Sequence, residues 1–91
     1  MQVSVQYTTQ LRTALNLNQE TFELPADSTV RVLLDQLAAA HQNTFAEFVI
    51  ENDGLRPNII ITVGDQQVID IETHPLQPGD VVTILSAISG G

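Results

Sequence analysis

The chain has 91 residues, 43% of them hydrophobic and 15% charged, a size and composition that suit one globular domain and exclude a disordered or fibrous polymer. Eleven acidic groups against three arginines and no lysine give a net charge of -8, so the basic footprint that nucleic acid requires is missing and a basic protein groove is the better-matched partner. Cysteine is absent, which excludes disulfides, thiolate metal sites and cysteine nucleophiles.

Val3, Val5 and Tyr7 alternate with Gln2, Ser4 and Gln6, the period of a strand with one face on a core. No basic leader or long apolar run accompanies them, so neither a signal peptide nor a membrane span is expected, and the chain is expected to be cytoplasmic. A polar connection containing Leu11 and Leu15 follows. Phe22 and Leu24, alternating with Thr21 and Glu23 up to Pro25, predict a second strand that forms a hairpin with the first.

Asp27 or Ser28 can cap a helix, because a short side-chain oxygen there can accept from the exposed N–H groups of the first turn. Val30, Leu33, Leu34, Leu37, Ala38 and His41 then lie at spacings of three and four along one helical face. Phe45, Phe48, Val49 and Ile50 predict a short second helix or a packed loop before a turn at Asn52-Asp53-Gly54.

From Pro57 to Val63 the sequence is nearly all apolar and reads as a central strand buried on both faces. Gly64-Asp65 turns the chain tightly into a short strand, Gln67 to Ile69. After the turn at Pro78-Gly79, Val81 to Leu85 reads as a core strand. The order strand, strand, helix, strand, short strand, strand is that of an α+β, β-grasp (ubiquitin-like) fold. It implies a mixed sheet with one main helix packed across it and the first and last strands parallel at its centre. The expected division is a β-grasp domain over 1–85 and a flexible tail over 86–91.

The tail, Ser86, Ala87, Ile88, Ser89, Gly90 and Gly91, builds no core. Two terminal glycines have no side chains and wide backbone freedom, so they can thread a narrow channel and bring a carboxylate to another protein's active site. That carboxylate is ionised at neutral pH and is a poor electrophile, so it needs activation before any transfer. Transfer of AMP from ATP to it, followed by attack of a sulfur donor, would make the chain a group carrier on a mobile arm.

Val3-x-Val5-x-Tyr7, Leu11-Arg12, Glu23-Leu24-Pro25, Thr29-Val30 with Leu33, Leu34 and Leu37, and Pro78-Gly79-Asp80 with the Gly-Gly end together resemble the MoaD/ThiS sulfur-carrier family. The resemblance implies a β-grasp fold, a ubiquitin-activating-enzyme-like adenylyltransferase as partner, and a thiocarboxylate at Gly91. It further implies that Ser86, Ala87, Ile88, Ser89 and Gly90 form the partner-binding tail. The sulfur acceptor would be an enzyme such as the large subunit of molybdopterin synthase or a cysteine synthase. Asp53-Gly54-Leu55-Arg56-Pro57 and Ile84 to Ile88 look like the carriers that feed cysteine synthesis, whereas Ser89-Gly90-Gly91 is similar to the molybdopterin synthase small subunit.

No catalytic constellation can be assembled from the residues, so the chain is expected to be a carrier rather than an enzyme. No cofactor is expected to bind it, ATP being used by the partner, and His41 and His74 lack the convergent ligands of a metal site. Asp65, Asp70 and Glu72 read as a solvated edge, and Ser86 and Ser89 as tail contacts. Phe45 and Phe48 read as core, or as a docking patch if exposed. A second function class stays open at this level: a β-grasp binding module or protein modifier that carries no sulfur.

Overall fold

A computed structural model of the chain describes residues 1–52 and 54–86. Its main sheet has the order β2-β1-β7-β5-β6, built from β1 (Gln2–Tyr7), β2 (Gln19–Glu23), β5 (Ile59–Val63), β6 (Gln66–Gln67) and β7 (Val81–Ser86). The strands β3 (Ile50–Glu51) and β4 (Gly54–Leu55) form a separate two-stranded hairpin. As the alternating pattern predicts, β1 and β2 pair antiparallel, with Val3 opposite Phe22 and Val5 opposite Glu20. β1 also pairs in parallel with β7, Val5 opposite Val82 and Tyr7 opposite Ile84.

The helix α2 (Val30–Val49) lies on one face of this sheet. It buries Val30, Leu33, Leu34, Leu37, Phe45 and Val49 against Val3, Val5, Ile61, Val82 and Ile84. Its 20 residues give a rod about 30 Å long, enough to cross the sheet. The expected short second helix or loop around Phe45 is instead the second half of this same helix. The reason lies in the spacing: His41, Phe45, Phe48 and Val49 prolong the three-and-four stripe begun at Val30, so the buried face never breaks.

Neither predicted cap is used. Thr29 is the N-cap residue, with no side-chain cap bond, while Ser28 Oγ donates to the Pro25 carbonyl at 2.7 Å and Asp27 takes a left-handed φ of 66°. The first helical N–H groups are met by a distant loop: Val30 N donates to His74 O and Arg31 N to Ile71 O. Tertiary carbonyls thus satisfy the groups that a side chain would otherwise cap.

The polar connection between β1 and β2 contains a short helix, α1 (Thr9–Leu15). Leu11 and Leu15, four apart, both turn to the core, Leu11 being fully buried, and Asn16 ends the helix at φ 58°, a left-handed conformation that asparagine tolerates. Gly64 and Gly79 adopt positive φ at the two turns where the sequence places them. The short edge strand is Gln66–Gln67 rather than Gln67 to Ile69; Val68 drops into the core while Ile69 is 88% exposed.

The expectation that β5 is buried on both faces is not met. Only Ile59 and Ile61 of β5, and only Val82 and Ile84 of β7, are buried, because a single helix covers a single face. Parallel central strands, a mixed sheet and one crossing helix are the β-grasp arrangement.

Candidate functional site

The tail leaves the sheet at the C-terminal end of β7, and the surrounding residues hold that point on three sides. On one side Ser86 stands opposite Ile59 of β5, and Asn58 Nδ2 donates to Ser86 Oγ at 3.4 Å. On another, the Thr8 hydroxyl donates to the Ile84 carbonyl at 3.0 Å, joining the β1–α1 corner to β7. The third is α1 itself, which packs on both α2 and β7. Ser86 is therefore a strand residue, one position further than the sequence alone ends the strand. Ala87, Ile88, Ser89, Gly90 and Gly91 lie outside the described residues.

Among the described residues, no helix covers the sheet face opposite α2. On its three central strands the outward positions are Gln2, Ser4 and Gln6 on β1, Val81, Thr83 and Leu85 on β7, and Ile60 and Thr62 on β5, while β2 at the edge adds Gln19, Thr21 and Glu23 opposite Gln6, Ser4 and Gln2. None of the eight central positions is charged, although the chain as a whole carries -8. Ile60 and Leu85 face each other across the strands, both half-buried, beside the tail exit. Val81 is 38% exposed at the far end of the same strand. The centre of this face, uncharged around an apolar pair, costs little to desolvate, which suits a protein partner rather than a phosphate-bearing one.

Two of the three arginines border the same end of the molecule. Arg12 lines an open groove of about 600 Å³ with Gln10, Thr13, Ala14 and Phe48, and has no ion-pair partner among the described residues. Phe48 is thus half-exposed at a groove, whereas Phe45 is fully buried. Arg56 donates through Nε to the Glu47 carbonyl at 2.7 Å and lies 3.1 Å from the Glu51 carboxylate. Arg31, at the other end of α2, sits 3.6 Å from Asp35 and 3.7 Å from Glu72.

A polar cluster that sequence reasoning missed lies beneath the helix. Glu20 occupies a core-facing position of β2 opposite Val5, and its Oε2 accepts from the Tyr7 hydroxyl at 2.6 Å. The same oxygen meets His41 Nε2, and the Tyr7 and His41 rings stand edge to face, 6.2 Å apart. Burial raises the Tyr7 pKa well above its ordinary value, and the bond to Glu20 and that group's negative charge raise it further. The cluster ties β1, β2 and α2 together, so His41 has a structural part. The signal in the sequence was a glutamate at an inward strand position, readable only once the register was known.

The acidic residues near the opposite end serve turns. Asp70 Oδ1 accepts from Glu72 N at 2.9 Å, and Asp80 Oδ2 from Gln77 N at 2.7 Å. Among the described residues, no helix is long and apolar enough to cross a membrane.

Comparison with known proteins gives this geometry a lineage. The sequence matches the ThiS family over residues 5–91. It is 29% identical, over the full length of both chains, to the molybdopterin synthase sulfur carrier subunit of Chlamydomonas reinhardtii. Among solved structures it is similar to a chain of the Amycolatopsis orientalis BexX/CysO complex, with 27% identity, a TM-score of 0.76, and coverage of 98% of this chain and 99% of that one. SAMP1 from Haloferax volcanii shares the fold at a TM-score of 0.86, with 18% identity and full coverage of both chains. With a match spanning nearly every element from β1 to the Gly-Gly end, the chain belongs to the ThiS family of ubiquitin-like sulfur carriers.

Proposed function

We propose that the Gly91 carboxylate is adenylated by a ubiquitin-activating-enzyme-like partner and then converted to a thiocarboxylate. The single observation that supports this most is the junction: a strand paired with β1 up to Ile84 and with β5 up to Ser86, continued by five residues that end Gly90-Gly91. The domain fixes the origin of the arm, and the arm's glycines fit a narrow active-site channel. A Gly91 carboxylate oxygen attacks the α-phosphorus of ATP held by the partner, and pyrophosphate leaves. A sulfur donor then attacks the acyl carbon, AMP leaves with the electron pair of the broken C–O bond, and the terminus becomes a thiocarboxylate.

Ser86, Ala87, Ile88, Ser89 and Gly90 would line the partner's channel, while the uncharged face around Ile60 and Leu85 docks on its body. The loaded chain then passes sulfur to an acceptor enzyme in molybdopterin, cysteine or thiamine synthesis, in the cytoplasm where ATP is supplied. The kinship with the molybdopterin synthase sulfur carrier subunit favours the first acceptor, and that with the BexX/CysO complex chain the second.

The test is intact-protein mass spectrometry after incubation with an adenylyltransferase, ATP and a sulfide source. The expected result is the mass gain of one oxygen replaced by sulfur, mapped to Gly91. Deleting Gly91, or replacing Gly90 or Gly91 by a bulky residue, is expected to abolish adenylation and leave the melting transition nearly unchanged. Full sulfur transfer by the Gly91 deletion would end the terminal-carboxylate mechanism, and an unchanged mass with a demonstrably active adenylyltransferase would favour a binding module that never carries sulfur.

A further inference from the structure

An activated carboxyl carbon reacts with the first competent nucleophile it meets, so the nucleophiles of its own chain matter. The sequence holds neither lysine nor cysteine, although lysine is among the commonest residues of ordinary domains. Side-chain amines and thiols, the groups that attack activated acyl carbons most readily, are therefore missing from this surface. Serine and threonine hydroxyls are weak nucleophiles unless a neighbouring base activates them, so the remaining candidates are the α-amino group of Met1, the phenol of Tyr7 and the two imidazoles.

Each is blocked. The Met1 nitrogen donates to the Leu24 carbonyl at 2.6 Å and lies 3.7 Å from the Glu23 carboxylate, so it is held at the sheet edge by contacts that must be given up before it can attack. The Tyr7 hydroxyl is buried and engaged by Glu20, and the half-buried His41 is engaged by Glu20 through Nε2. An acyl group on the half-exposed His74 would be lost to water, because acyl-imidazoles hydrolyse readily.

Distance closes the intramolecular route to Met1 as well. Ser86 stands two positions beyond the Tyr7–Ile84 pair, so its level along the sheet is about 26 Å from that of Met1, taking about 3.3 Å per strand residue. Gly91 is five residues past Ser86, a span of at most about 18 Å even when fully extended. The carboxyl carbon falls short.

We infer that this chain is an acyl donor without an acceptor of its own: the activated Gly91 passes only to nucleophiles on other molecules, and copies are not joined into chains or rings. The inference deepens the proposed carrier role and rests on it. In each productive transfer the external nucleophile bonds to the Gly91 carbonyl carbon, the bond to the leaving group breaks with its electron pair, and the nucleophile's proton goes to solvent.

The experiment uses the full chain carrying a chemically installed thioester at Gly91, incubated concentrated at mildly alkaline pH and read by intact mass and denaturing gel. The parent chain is expected to give the hydrolysed acid alone and, with free lysine added, the lysine adduct. Gln36→Lys and Gln67→Lys, both at exposed positions, are expected to give covalent dimers that the parent does not form. Covalent dimers or rings from the parent chain would overturn the inference, as would lysine variants that stay monomeric while free lysine is still acylated. No adenylyltransferase is involved, so failure here leaves the carrier role standing, whereas failure of ATP–pyrophosphate exchange with the partner would remove that role without altering this outcome.

Discussion

The strands β5 and β7 carry nearly the same residue types on their two faces, yet the faces do different work. Ile61, Val82 and Ile84 are buried under α2, where each methylene contributes to a close-packed core. Ile60 and Leu85, one residue away on the same strands, face outward and are only half-buried. Both sets are aliphatic, so residue type does not separate stability from recognition; the pleat does. A run such as Ile59-Ile60-Ile61 is thus two half-strands, one under the helix and one left on the open face.

Substitutions on the two faces can break or sharpen this contrast. The largest effect is expected at the covered face: Ile84→Ala should cost about 2–5 kcal/mol, measured by denaturant unfolding, since a fully buried side chain leaves a cavity behind. Next is the polar inclusion on that face. Glu20→Ala leaves the Tyr7 hydroxyl and His41 without their shared acceptor and should cost about 1–3 kcal/mol in the same assay.

On the open face the sign of the contrast reverses. Leu85→Asp is expected to change stability by less than about 1 kcal/mol, yet to weaken docking to the adenylyltransferase by more than about 1 kcal/mol in a titration calorimeter. Equal losses in stability at Leu85 and Ile84 would dissolve the two-face distinction.

The smallest effect is a pH dependence. Tyr7 keeps its proton in the folded state at pH values where an unfolded tyrosine, with a pKa near 10, has lost it. Its contribution is complete below about pH 10 and declines as pH rises above it, because the unfolded state then gains by ionising. Tyr7→Phe should cost about 1 kcal/mol near neutrality and flatten this alkaline decline in melting temperature.

Much of this architecture was legible from pattern alone. The hairpin of β1 and β2, the stripe from Val30 to His41, and the turns at Gly64 and Gly79 follow from period and turn chemistry, since each depends on neighbours in sequence. What was not legible depends on partners far away. The start of α2 is set by the carbonyls of Ile71 and His74, so the capping residues at 27 and 28 misled. Seven residues with two leucines are too few to announce α1, whose stability comes from burying Leu11 rather than from its own propensity. The continuous apolar runs of β5 and β7 hide their alternation, because an outward docking residue and an inward core residue look the same until the number of covering layers is known. The Gly-Gly end stood out in the sequence because its residues carry no apolar pattern, and residues 87–91 lie beyond the described ones.

The parallel pairing of β1 with β7 joins segments from nearly opposite ends of the sequence, so closing that contact orders almost the whole chain at once. Loss of β7 by nicking would strip β1 and β5 of their shared neighbour and leave two raw edges inclined to aggregate. The arm, the docking face and the centre of the sheet would be lost together. Loss of that strand therefore leaves no folded remnant to occupy a partner, whereas loss of Gly91 alone leaves the fold in place.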